Sequence, residues 1–334
     1  MSTGGRFLWT ALALAGAPLS AGEPPPLEPW PAPTSPEALE ARLKDRRVRR
    51  PNEQDLKKIE AAAPAQAPAK PAKPRKVLCW GRLWTHEGNA FCEEAVKILG
   101  RKTAAFETVA TDDPRTLLPE SLKGFDAVFL NNLHDAQPFL PPDLKKPPQD
   151  QQDPAAQLDK AIKQSLLRFV QEDGKGVAGV HGAIAALKDW KEFGEMMGAF
   201  HGGHFGGPQV IKPEEPDHPL NACFEGKAFK ISDESYVPGA PFSRQKVRVL
   251  TSLDLTQMKD PAEQAAWLKE VVKGREGDYP ISWVRQHGRG RVFYCALGHS
   301  TDTYLNPLFL RHLLAGLQFV IGDLEAPAEP RGAK

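Results

Sequence analysis

The pattern of apolar and polar positions divides the chain into three parts. Residues 7–19 read FLWTALALAGAPL, almost wholly apolar, behind Arg6 and ahead of the small residues Ser20, Ala21 and Gly22. A positive charge, an apolar stretch and small residues in that order are the marks of a secretory signal. They predict a signal over residues 1–22 and an exported, periplasmic or extracellular mature chain. Residues 23–75 carry little apolar periodicity. EPPPLEPWPAPTSP is proline-rich and extended, Ser35-Pro36 caps a short polar helix ending before Pro51, and NEQDLKKIEAAA is a second ending at Pro64. The Ala/Pro/Lys run that follows completes what reads as a spacer without a core.

From Lys76 the texture changes. Short apolar strands at 76–80, 105–110, 127–130 and 177–180 alternate with helical patterns at 89–99, 116–123 and 155–171. Alternation of this kind predicts a parallel sheet with helices on its faces, an α/β fold. The remainder is β-rich, with strands predicted at 227–232, 247–253, 281–285 and 292–297, a hairpin turn at His287-Gly288, and a closing helix at 308–321. Residues 136–154, AQPFLPPDLKKPPQDQQDP, are too polar and proline-rich for a core and read as a surface loop. Residues 324–334 read as a disordered tail.

Composition narrows the partners. The 334 residues carry 43 Lys+Arg against 42 Asp+Glu, a net charge of +1, so neither a nucleic acid nor a polybasic membrane contact is expected. Four cysteines are too few for a disulfide scaffold. After signal removal no apolar run reaches the length of a transmembrane helix. The oligomeric state is not fixed by these patterns.

All nine histidines lie beyond residue 76, and four of the polar loops that follow predicted strands hold one: His86, His134, His181 and His299. In open parallel sheets ligands sit outside the carboxyl ends of strands, so these loops are the candidate site. Gly179-Val180-His181-Gly182-Ala183 is a strand turning sharply between small residues, an elbow that carries His in place of Ser or Cys. His181, Glu234 and His86 are the expected acid/base groups. His86, His181 and His299 are also a candidate ligand set for a divalent ion such as zinc. Trp84, Trp190, His204, Asp233, Tyr236 and His299 are the expected substrate-contacting residues, with core packing the alternative for Trp84, Trp190 and Tyr236. His201-Gly202-Gly203-His204 reads as a loop, Asp233-Glu234-Ser235-Tyr236 as a strand end, and His287 and His312 as structural. Gly174-Lys175-Gly176-Val177-Ala178-Gly179 matches a dinucleotide fingerprint, but it follows a helix and enters a strand, the reverse of that motif. Neither NAD nor another nucleotide is expected.

The elbow, Asp189-Trp190, Phe200 through His204, Asp217-His218-Pro219, Asp233-Glu234-Ser235-Tyr236, Tyr279-Pro280-Ile281-Ser282-Trp283, Gly288-Arg289-Gly290-Arg291-Val292-Phe293-Tyr294 and Gly298-His299-Ser300 together resemble the ThuA-like (trehalose utilisation) family across nearly all of residues 76–323. The resemblance implies a flavodoxin-like parallel sheet, as in class I glutamine amidotransferases, with an added β-rich C-terminal half. The elbow residue of those amidotransferases is a catalytic Cys; His181 stands there, so glutaminase activity is not implied. The family's link to trehalose and oxidised (3-keto) sugars implies a carbohydrate partner and a hydrolase, lyase or isomerase chemistry. The alternative is a non-catalytic carbohydrate-binding or scaffold module.

Overall fold

The computed structural model describes residues 35–46, 48–134, 137–140, 153–258 and 277–331. The expected signal, residues 23–34 and most of the 136–154 loop lie outside them. The elements run α1 (Pro36–Asp45), α2 (Glu53–Ala62), β1 (Lys76–Trp80), α3 (Asn89–Thr103), β2 (Glu107–Thr111), α4 (Pro119–Leu122), β3 (Ala127–Asn131), α5 (Pro154–Gln171), β4 (Gly176–Val180), α6 (Lys191–Met197), β5 (Phe200–Pro213), β6 (Phe229–Gly239), β7 (Arg248–Leu253), β8 (Pro280–His287), β9 (Gly290–Cys295) and α7 (Pro307–Val320). They build one nine-stranded sheet in the order β2-β1-β3-β4-β9-β8-β7-β5-β6.

β2, β1, β3, β4 and β9 pair in parallel. β3 and β4 are buried along their whole length, as strands covered on both faces must be. The amphipathic stripe Leu158, Ile162, Leu166, Phe169 and Val170 of α5 is buried, as are most residues of α7. From β9 outward the pairing is antiparallel, through β8, β7 and β5 to β6. The predicted fold class, a parallel sheet with a β-rich second half, is the one observed. The helix expected at 116–123 is broken into a 3₁₀ turn, Pro114–Leu117, and α4, because a residue preceding proline is driven to extended backbone, as Leu118 is.

Several expectations are corrected. His201 to His204 lie inside β5, not in a loop. A Cβ on Gly202 would stand 2.8 Å from Gly239 of β6, so glycine here permits close strand contact at a bulge between His201 and Gly203. Asp233 to Tyr236 lie within β6, which continues to Gly239. The stretch from residue 35 contributes to the core: Leu43 and Val48 bury with Leu83 and Trp84, and Ile59 is 0% exposed. One apolar position per short helix suffices for that. Phe139 and Leu140, read as surface loop, are buried, with Phe139 edge-on to Trp80 at 5.4 Å. The expected tail is tied down over 324–331: Ala328 is buried, and His218 Nε2 donates to the Pro327 carbonyl at 2.9 Å. Gly174 to Gly179 pass from α5 into β4, the reverse of a dinucleotide fingerprint.

Candidate functional site

Four loops at the carboxyl ends of β1, β3, β4 and β9 hold His86, His134, His181 and His299, while Glu234 and Tyr236 come from β6 and His204 from β5. At the elbow, β4 ends and His181 takes φ +41 at the start of a 3₁₀ turn, His181–Ala185. Asn132 and His134 after β3 also have positive φ, at +48 and +29. Strained backbone of this kind concentrates at functional sites. A Cβ on Gly182 would stand 2.9 Å from His86 Cε1, so the elbow packs against the β1 loop only with glycine there.

The three predicted imidazoles meet. Ring centroids are 4.7 Å apart for His86 and His181, 5.2 Å for His181 and His299, and 5.3 Å for His86 and His299. One ring nitrogen from each lies within 4.8 Å of the others. His181 is 0% exposed. Its Nδ1 stands 3.2 Å from the Ala296 carbonyl, which only accepts, so Nδ1 carries the proton and Nε2 the free lone pair. That Nε2 is buried without a hydrogen-bond partner; Glu234 Oε1 lies 3.6 Å away, outside hydrogen-bond range. The Tyr236 ring packs 3.9 Å from the His181 ring, and its hydroxyl is 3.4 Å from His86 Nε2. Burial depresses the His86 pKa to about 3, with the neighbouring His134 and His299 imidazoles acting in the same direction. Burial likewise holds His181 well below the ordinary imidazole range. Both rings are therefore neutral at physiological pH.

Two residues hold the loops together. The Asp233 carboxylate is buried and accepts from the Gly298 amide at 2.7 Å and the Ser300 amide at 2.8 Å, on either side of His299. Burial raises its pKa against the lowering by those two amides. Asn132, also buried, joins three loops at once. Thr85 Oγ1 donates to its carbonyl at 2.6 Å, the Gly182 amide donates to its Oδ1 at 3.1 Å, and its Nδ2 donates to the Gly298 carbonyl at 3.2 Å. These are the loops of His86, His181 and His299.

Of the remaining expected residues, Glu234 and Tyr236 face the histidines, and exposed His204 stands at the rim, 6.5 Å from the Tyr236 ring. Asp233 supports the His299 loop from within and is not presented to a ligand. Trp84 and Trp190 are corrected: both are buried packing residues. Trp84 sits among Leu43, Val48 and Leu83 with the Arg42 guanidinium 4.9 Å over its ring. Trp190 stacks on Phe193 at 5.6 Å. Three residues outside the expected catalytic and binding set are brought in by the structure. They are His134, placed by the sequence only in a candidate loop and 4.7 Å from the His86 ring, His201, 4.2 Å from the Tyr236 ring, and Asn132. The Asn131-Asn132 pair directly after an otherwise apolar strand is the signal that points to Asn132.

Fold and site define an α/β protein whose chemistry-bearing loops gather at the carboxyl ends of parallel strands, the usual ligand position in such sheets. A family model described as ThuA: Trehalose utilisation matches residues 76–320, and the chain belongs to that family. Among solved structures it is similar to a putative ThuA-like protein from Bacteroides uniformis ATCC 8492, with 22% identity, TM-score 0.54, and 76% of this chain and 94% of that one covered. It is also similar to a putative ThuA-like protein from Parabacteroides merdae ATCC 43184, with 17% identity, TM-score 0.51, and coverage of 78% and 98%. No curated protein matches it in sequence. Among the described residues no helix is long and apolar enough to cross a membrane.

Proposed function

We propose that this trehalose-utilisation family member is an exported enzyme that moves a proton on a sugar, with Glu234 as the group that carries it. The observation behind this is the pairing of a solvent-reachable carboxylate with buried, neutral imidazoles. The Glu234 side chain is 27% exposed and faces a His181 that is wholly buried. Neutral His181 is a poor proton donor, and burial that disfavours its charged form makes it a poor acceptor as well, so its place is to hold, while Glu234 exchanges protons with the substrate and solvent. Tyr236 closes one wall and His204 lies at the rim, where a sugar hydroxyl enters. Family membership supports a carbohydrate as the substrate, and the apolar run at residues 7–19 supports export.

The test is turnover of trehalose and of keto-disaccharides by the wild type and by Glu234→Gln. The variant is expected to lose about 10²–10⁴-fold in kcat with an unchanged Tm. A protein that binds sugars in the panel and turns none over would overturn the catalytic reading in favour of a binding module. N-terminal sequencing of exported material tests the signal, with a start expected near Gly22 or Glu23.

A further inference from the structure

We infer that His86, His181 and His299 bind one divalent transition-metal cation of the zinc class, with Glu234 facing the open side of the ion. The inference deepens the reading above by assigning the same pocket an ion, but it stands on its own observations.

The first is placement. Three imidazoles from three separate loops bring one nitrogen each within 4.8 Å of the others. Around a tetrahedral ion with bonds of about 2.0–2.1 Å, the nitrogens stand roughly 3.4 Å apart. Rotation of the rings closes that difference. The second is the pair of orphaned atoms. His181 Nε2 and His86 Nδ1 are both buried with no hydrogen-bond partner. Leaving a buried polar atom unpaired costs about 1–3 kcal/mol, and the His181 lone pair cannot be satisfied by the nearby carboxylate, which is itself an acceptor. A cation satisfies the His181 lone pair. The third is the support behind one ligand. His181 Nδ1 donates to the Ala296 carbonyl. A carbonyl partner behind a ligating histidine fixes the tautomer and the ring plane. Asn132 adds a fourth element, since it anchors all three ligand-bearing loops to one buried residue.

Ligand chemistry selects the class of ion. The set is three imidazole nitrogens with no thiolate: among the cysteines, Cys79, Cys92 and Cys295 are buried in strands or a helix. Imidazole donors suit zinc, cobalt, nickel, copper or iron and not magnesium or calcium, which want oxygen. Three protein ligands leave a fourth position for water or a substrate oxygen.

The experiment uses the full chain, stripped with a chelator, then titrated with Zn²⁺ by calorimetry and with Co²⁺ by visible absorption. One ion per chain is expected, with a Co²⁺ spectrum of low coordination number. His86→Ala and His299→Ala are each expected to weaken binding by about 100-fold or more, a loss at least as large as removal of an outer partner gives. His287→Ala, on a distant hairpin, should leave it unchanged. His299 is 31% exposed, so its variant keeps the test meaningful if His181→Ala does not fold. No saturable binding, or binding unchanged in His86→Ala and His299→Ala, overturns the site. Turnover is followed on the same stripped and loaded samples. Absent ion binding with turnover retained overturns the metal site alone, whereas one bound ion without turnover of any sugar overturns the catalytic reading alone.

Discussion

His312 shows how the same side chain serves a different end away from the pocket. It is buried in α7, where Nδ1 donates to the Leu220 carbonyl at 2.8 Å and Nε2 accepts from Ser282 Oγ at 2.9 Å. Burial lowers its pKa from 6.5 to about 4. The unfolded chain therefore binds this proton more readily than the folded one. The linked stability is complete above about pH 6.5 and is lost as pH falls towards 4, by about 3 kcal/mol in all. Tm measured across pH 7 to 4 should fall accordingly, and His312→Gln should flatten part of that slope. Asp233 belongs to the same scale. Asp233→Asn sets an amide NH₂ against one of the two amides flanking His299, and should cost about 1–3 kcal/mol in a urea titration. His86, His181 and His299 were legible in the sequence because each leaves a predicted strand end. Trp84 and Trp190 were not, because a tryptophan reads the same whether its face is spent on a sugar or on Leu43 and Phe193.

At the scale of elements, α2 is the instructive case. Asn52 and Asp55 form a reciprocal capping box, and Arg49 pairs with the Asp55 carboxylate. The polar run NEQDLKKIEAAA with its stop at Pro64 made the helix legible, as Ser35-Pro36 did for α1. Docking was not legible, since Leu56 and Ile59 are the only large apolar residues in a polar run and periodicity needs more. The burial of Ile59 predicts that Ile59→Ala destabilises by about 2–4 kcal/mol in chemical denaturation. It also predicts that limited proteolysis leaves Glu53–Ala62 attached to the domain. Release of that helix under conditions that spare the sheet would show the contact to be dispensable. The β5–β6 ribbon taught a similar lesson. Gly202 and Gly203 spell a loop in isolation, and only the neighbouring Gly239 reveals two backbones in close contact.

For the whole molecule, Pro31–Lys334 form one compact unit in which one sheet carries both the parallel half and the antiparallel half. The pairing of β9 with β4 and β8 joins the halves, which predicts a single cooperative transition. Fluorescence, dominated by buried residues such as Trp80 and Trp283, and far-ultraviolet circular dichroism should trace coincident curves; separated midpoints would show the halves melting independently. The alternation of strands and helices was enough to read the parallel half. The order of the antiparallel half was not readable, because β5 and β6 reach the outer edge by long-range pairing that no local pattern encodes. Asn132 has a consequence at this scale. Because one carboxamide and its carbonyl tether Thr85, Gly182 and Gly298, the three loops share a common bearing. Substitutions at Thr85 and in the β9 loop should be non-additive by about 0.5–3 kcal/mol in a double-mutant cycle. An engineer seeking to reshape this pocket for a different sugar would have to retune the loops as a set, starting from their shared pivot.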